Sequence, residues 1–247
     1  MTPSLLLVFA HPDDETYATG ATVARYASEG VRCSLYCATD GDAGRSSGIP
    51  VSSPAELGLL RRKELRQASD ILGIQSVEFG GFPDGQLPTV PPDDVIGQIV
   101  SMIRRERPDV VLTFGPEGAP TQHRDHRAIS ALTRMAYLFA GTSDNYTKQL
   151  IDGLSPHTAS RLCCVTWPTP APDAFYPVKG APIHIEIDAR PWNAAKRRAF
   201  DAHRTQGQHR DKFELYSMTD SEYFSIVAGQ PVQARATDLF AGLTRGE

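Results

Sequence analysis

The sequence predicts an α/β fold, a Rossmann-like, mostly parallel sheet with helices on both faces. Three observations carry this. The run Ser4-Leu5-Leu6-Leu7-Val8-Phe9 is apolar after its first residue, as a strand buried on both faces reads. From there to about residue 140, short apolar runs alternate with longer amphipathic ones, the pattern of strand–helix units. The residues capable of chemistry fall directly after strand ends, the edge at which open α/β sheets bind ligands.

In chain order, strand Ser4–Phe9 runs into Ala10-His11-Pro12-Asp13-Asp14-Glu15 and then a helix of about Thr16–Ser28, which Gly30 stops. A strand over Arg32–Ala38 alternates Cys33, Leu35 and Cys37, and the glycine-rich loop Thr39–Gly48 follows on the same sheet edge. The next helix spans about Pro54–Leu72, with Leu57, Leu60, Leu65, Ala68 and Leu72 on one face and Gly73 after it. A short strand, Val77–Gly80, precedes the turn Phe82-Pro83-Asp84-Gly85, and a helix over Asp93–Arg107 ends before Pro108. Strand Asp109–Phe114 leads through the loop Gly115–Gln122 into His123-Arg124-Asp125-His126 and a helix of about Arg127–Phe139.

The last hundred residues are less regular. Strands are expected at Leu162–Trp167, His184–Asp188 and Tyr223–Val227, with a helix over Trp192–His203. The proline-rich stretch Pro168–Pro182 reads as an extended loop that covers the site edge. The expectation is one domain over residues 1–247, a parallel core at about 4–140 and an extension at about 141–247 that completes the sheet.

With 40% hydrophobic and 22% charged residues and a net charge of −4, the chain has no basic arm or arginine-rich run, so nucleic acid and membrane surfaces are not expected partners. No apolar run reaches the roughly 20 residues of a membrane span, and the N-terminal run lacks the basic flank of a signal peptide. Four cysteines without a C-x-x-C pair read as buried thiols of a reducing cytoplasm.

His11 and Asp14 sit three apart on a turn that opens a helix, and an imidazole with a carboxylate suits zinc and similar divalent ions. Asp13 is then free to act on a water held there. His126 supplies a third donor from another strand end, and three protein ligands plus water are the arrangement of a catalytic metal site. Asp125 is a carboxylate placed to fix a histidine tautomer, and an Asp125–His123 pair would keep His123 protonated enough to face an oxyanion.

Ala10-His11-Pro12-Asp13-Asp14-Glu15 together with His123-Arg124-Asp125-His126 resembles the LmbE-like (PIG-L) zinc N-deacetylases over about residues 4–140, with a weaker echo in Ala202-His203-Arg204-Thr205-Gln206. The resemblance implies one Zn2+ per chain on His11, Asp14 and His126, Asp13 as general base, and His123 as oxyanion donor supported by Asp125. Iron(II) or cobalt would fit the same ligands. It also implies a substrate-facing Arg61, matched with Glu64, and an Asp84 near sugar hydroxyls. The alternatives are an i,i+3 ion pair for Arg61 and Glu64 and a plain turn for Asp84. Gln122 and Arg124 depart from the family pattern, which often has glycine and proline there. His203 either lines the site or ends a helix in solvent; His157, His184 and His209 read as structural.

The expected reaction is hydrolysis of an N-acetyl group on an amino-sugar conjugate, a small-molecule substrate. Amide hydrolysis of a larger conjugate, a non-catalytic sugar- or nucleotide-binding domain, and a metal-dependent phosphoesterase are the other readings. The loop Asp40–Gly48 has neither phosphate-loop signature, and ligands for a second metal are not evident. Oligomeric state is left open.

Overall fold

A computed structural model describes residues 2–168 and 179–244. Most of the proline-rich stretch expected to cover the site, residues 169–178, lies outside the described residues. β1 (Ser4–Phe9), buried along its whole length, pairs in parallel with β2 (Arg32–Thr39), and β3 (Ser76–Phe82) adds in parallel to β2. On the other side β4 (Val110–Thr113) pairs in parallel with β1, and β5 (Arg161–Thr166) with β4. β6 (Ile185–Asp188) forms the edge, and β7 (Ser221–Gly229) inserts antiparallel between β5 and β6. The order is β3-β2-β1-β4-β5-β7-β6. Strand order therefore reverses between β1 and β4, and the crevice above their C-terminal ends is the switch point where such sheets bind ligands.

The helices are α1 (Asp14–Ser28), α2 (Pro54–Leu72), α3 (Pro92–Glu106), α4 (Arg124–Ala140), the short α5 (Thr147–Ile151), α6 (Asn193–Ala202) and α7 (Arg210–Tyr216). α3 packs on α4, while α1 and α2 pack with α6. None of the described helices is long and apolar enough to cross a membrane. All four cysteines are free and buried, and burial pushes the Cys33 thiol up to about 12.

α2 starts where its sequence says it should. Ser53 Oγ accepts from Glu56 N at 3.2 Å, Glu56 returns to Ser52 N at 2.6 Å, and Gly73 ends the helix at φ +80°. Two other starts differ from expectation. α1 begins at Asp14 rather than Thr16, and α4 at Arg124 rather than Arg127. Asp13 and His123 are their N-cap residues, so both motifs are part of the first helical turn. His123 caps with a ring nitrogen: Asp125 N donates to its Nδ1 at 3.2 Å. The antiparallel sense of β7 and the seven residues of α7 were not expected, because an apolar run carries no direction and two turns carry little periodicity.

The least legible feature is a buried ion pair inside the helical layer. Lys196 Nζ meets Glu222 Oε1 at 2.6 Å. The same carboxylate accepts Ala21 N at 3.1 Å and Thr22 N at 2.8 Å in the middle of α1. The lysine stem crosses Gly20, where a Cβ would sit 2.8 Å from Lys196 Cγ. β7 and α6 are thereby bolted to α1, the helix that begins with Asp14. Lys196→Met strands a buried carboxylate, and urea unfolding is expected to show a loss of about 3–5 kcal/mol.

Candidate metal centre

Four strand ends supply the site. His11 follows β1, Asp84 follows β3, His123 and His126 follow β4, and Gly41 belongs to the loop after β2. The turn after β1 is shaped by Asp14, whose Oδ2 accepts His11 N at 2.8 Å and Ala10 N at 3.2 Å. This leaves Oδ1 facing His126 Nε2 at 3.2 Å. His11 Nδ1 lies 3.2 Å from His126 Nε2 and 3.5 Å from the Asp14 carboxylate.

The far nitrogens of the two imidazoles assign their protons. His126 Nδ1 is 3.3 Å from Gly118 O, a carbonyl that can only accept. His11 Nε2 is 3.2 Å from Asp125 Oδ2 and 3.1 Å from Asp84 Oδ1. Each ring donates outward, as metal-binding histidines do to a carboxylate or carbonyl. The lone pairs of His11 Nδ1 and His126 Nε2 then converge on Asp14. Tetrahedral zinc with bonds near 2.0–2.1 Å needs donors about 3.3 Å apart; His126 Nε2 lies 3.2 Å from both His11 Nδ1 and Asp14 Oδ1, close to that edge, while the 3.5 Å contact of His11 Nδ1 is to the other Asp14 oxygen, Oδ2. Among the described residues, ring and carboxylate donors of His11, His123 and His126, and of His11, Asp84 and Asp125, also group within 4.8 Å. The second group is less suited to an ion, because Asp125 already accepts Gly85 N at 2.6 Å and Leu87 N at 3.2 Å.

With protein groups alone, burial disfavours charge on His11, yet hydrogen bonds to Asp125, Asp14 and Asp84 hold its pKa well above the ordinary value. Burial would raise the Asp14 carboxyl, but His126 and then His11 hold it well below the usual range. The pocket thus favours positive charge on His11 and negative charge on Asp14.

Six of the eight residues singled out in the sequence, His11, Asp14, Asp84, His123, Asp125 and His126, meet here. Asp84 and Asp125 share an unexpected task. Both carboxylates turn to His11 Nε2, and the expected carboxylate pairing of Asp125 with His123 gives way to the backbone contact of its own N–H. The His123 ring lies 4.8 Å from that of His11 and 4.9 Å from that of His126. Burial, followed by the proximity of the His11 and His126 rings, pushes its pKa below the ordinary value. His123 is therefore neutral at pH 7, and because Nδ1 accepts from Asp125 N its proton sits on Nε2.

The seventh residue, Asp13, has φ +120°, a conformation that costs a non-glycine residue on the order of 1–3 kcal/mol. Burial raises its carboxyl from 3.8 to about 6, with Arg61 as the chief opposing influence. The eighth, Arg61, is 4% exposed. Its guanidinium donates to Pro12 O and, at 2.9 Å, to Gly41 O, and lies 3.5 Å from Asp13 Oδ2. The alternative reading, an ion pair with Glu64, is not what forms: Glu64 accepts from Thr205 N at 3.0 Å and Thr205 Oγ1 at 2.6 Å. Glu15, Glu64 and Thr205 had no assigned part in the site. Only the echo Ala202–Gln206 pointed to that region.

A Cβ on Gly41, at φ +65°, would lie 2.2 Å from Arg61 Nη1. Gly41→Ala is expected to lower stability by about 2–4 kcal/mol, from the left-handed backbone and the clash together, read by chemical denaturation.

Residues 6–137 match the family described as PIG-L, GlcNAc-PI de-N-acetylase. The 1D-myo-inositol 2-acetamido-2-deoxy-alpha-D-glucopyranoside deacetylase of Rhodococcus erythropolis is 30% identical, covering 97% of this chain and 97% of that protein. The N,N'-diacetylchitobiose deacetylase of Pyrococcus horikoshii superposes with a TM-score of 0.74 at 23% identity, over 91% of this chain and 83% of that one. GalB, the 4-carboxy-2-hydroxymuconate hydratase of Pseudomonas putida, superposes with a TM-score of 0.75 at 20% identity, over 94% and 99%. At those identities the two superpositions speak for the fold alone.

Proposed function

Because the chain belongs to the PIG-L family, we propose that its site hydrolyses the N-acetyl group of an N-acetylglucosaminyl conjugate, with a divalent metal, zinc foremost, held by His11, Asp14 and His126. The observation that supports this is the approach of His11 Nδ1, His126 Nε2 and the Asp14 carboxylate to within 3.2–3.5 Å of one another, a nitrogen and oxygen donor set that suits one divalent cation. An ion there would acidify a water and polarise the acyl oxygen.

Asp13 takes the proton from the attacking water, a task suited to a carboxyl raised to about 6. The neutral Nε2–H of His123 donates to the acyl oxygen as it takes up negative charge. Asp13, now protonated, delivers its proton to the leaving nitrogen. Asp125 and Asp84 orient His11 through Nε2, and Arg61 steadies the Asp13 turn. Four buried thiols favour a reducing compartment, the cytoplasm.

The test is elemental analysis of the purified protein paired with acetate release from N-acetylglucosaminyl compounds. About one metal per chain with chelator-sensitive acetate release supports the reading. Metal without acetate from any compound would move the search to larger amides, and no metal after zinc is supplied would overturn the centre. Asp13→Asn should keep its metal and lose about 10²–10⁴-fold in kcat.

Asp13 accepts a proton only when ionised, so kcat/KM should fall as the pH drops. A bound cation, like Arg61, favours the ionised form and lowers the pKa. The acid limb is therefore expected between 3.8 and about 6, read from a pH–rate profile. Asp84→Asn loosens His11, and metal affinity should fall about 10–100-fold in competition with a chromophoric chelator.

A further inference from the structure

Behind Asp13 lies a ring of buried contacts that the proposed chemistry does not use. It begins at one peptide group, the bond between Pro12 and Asp13. The carbonyl of that peptide accepts from Arg61, and its N–H donates to Glu15 Oε2 at 3.0 Å. One peptide plane is thus gripped at both ends, directly before a residue at φ +120°.

Glu15 has two more partners, of which Thr16 Oγ1 donates to Oε1 at 2.5 Å. The same oxygen accepts from His203 Nε2 at 2.8 Å, with side-chain exposures of 1% and 0%. His203 Nδ1 has no hydrogen-bond partner among the described residues, so the Glu15 contact is the one this imidazole is placed to make. His203 ends α6. Two residues on, Thr205 N and Oγ1 are held by Glu64, which lies one turn of α2 from Arg61. The circuit closes: Arg61, the Pro12–Asp13 peptide, Glu15, His203, Thr205, Glu64, and back along α2. Unfavourable backbone survives only where its surroundings over-determine it, and this ring supplies that at the residue whose carboxylate must be aimed.

We infer that His203 is a positioning residue that acts through Glu15 on the backbone at Asp13, fixing where the Asp13 carboxylate points. The inference rests on the role proposed for Asp13, but its first readout does not need turnover.

The experiment compares full-length, zinc-loaded wild type with His203→Ala and His203→Gln, whose amide N–H can still reach Glu15. Hydrogen exchange, metal content, and kcat and KM on N,N'-diacetylchitobiose are measured. In His203→Ala, exchange of residues 10–17 should quicken about tenfold or more while β1 and β4 are unchanged and zinc stays at one per chain. kcat should fall on the order of 10–100-fold with KM within about threefold of wild type. His203→Gln should restore most of both. Wild-type exchange at residues 10–17 in His203→Ala, or a kcat loss that His203→Gln leaves unrestored, overturns the inference. Should His203→Ala not fold, Glu15→Gln replaces it. It keeps an acceptor for Asp13 N and weakens the hold on His203, so the same changes are expected, smaller, and their absence is equally adverse. A wild type that releases no acetate removes the proposed reaction alone; the exchange comparison still decides the role of His203.

Discussion

The Asp14 carboxylate is tied to the backbone that delivers it, and the rest of the site follows from that. By accepting the N–H groups of Ala10 and His11, it closes the turn at the end of β1 and starts α1 in one step. The same contact leaves its second oxygen facing His126, across the gap where strand order reverses. A neutral amide would satisfy one or both backbone donors but would bring no charge to the crevice. Structural and chemical demands therefore fall on one residue, and His11, held in the turn that Asp14 shapes, is aimed by the same geometry.

Much of this was legible in the sequence because the relevant signals are local. Continuous apolar runs marked β1 and β4, their polar breaks marked the strand ends, and the two histidine motifs sit on those breaks. What could not be read depends on contacts far apart in sequence. The direction of β7 is set by pairing with β5 and β6. The insertion of Glu222 into α1 joins residues about two hundred positions apart, and its Lys196 partner lies 26 positions before it on another element. The partner of Asp125 could not be read for a related reason: a one-dimensional motif suggests its nearest histidine, whereas the first turn of α4 swings the Asp125 carboxylate away from His123 and towards His11.

The two kinds of histidine in the crevice show how environment divides labour among identical side chains. His11 is surrounded by carboxylates and holds positive charge readily; His123 is half-buried beside two other imidazoles and stays neutral. A neutral imidazole with its proton fixed on one nitrogen is a donor that needs no change of state when negative charge develops. The resemblance to a hydratase fold shows that the sheet itself does not choose the reaction. That choice lies in how these few ring protons are placed.

The order of residues along the chain bears on biogenesis. His11, Asp14 and His126 are all synthesised before α5 begins, so a metal-binding crevice between β1 and β4 can assemble while the chain is still emerging. His203 and Thr205 come almost eighty residues after His126, and Glu222 nearly a hundred. The groups that converge between β1 and β4 are thus made in one stretch of chain and those that grip the Asp13 peptide in a later one, and the last strand inserted into the sheet, β7, follows both in synthesis.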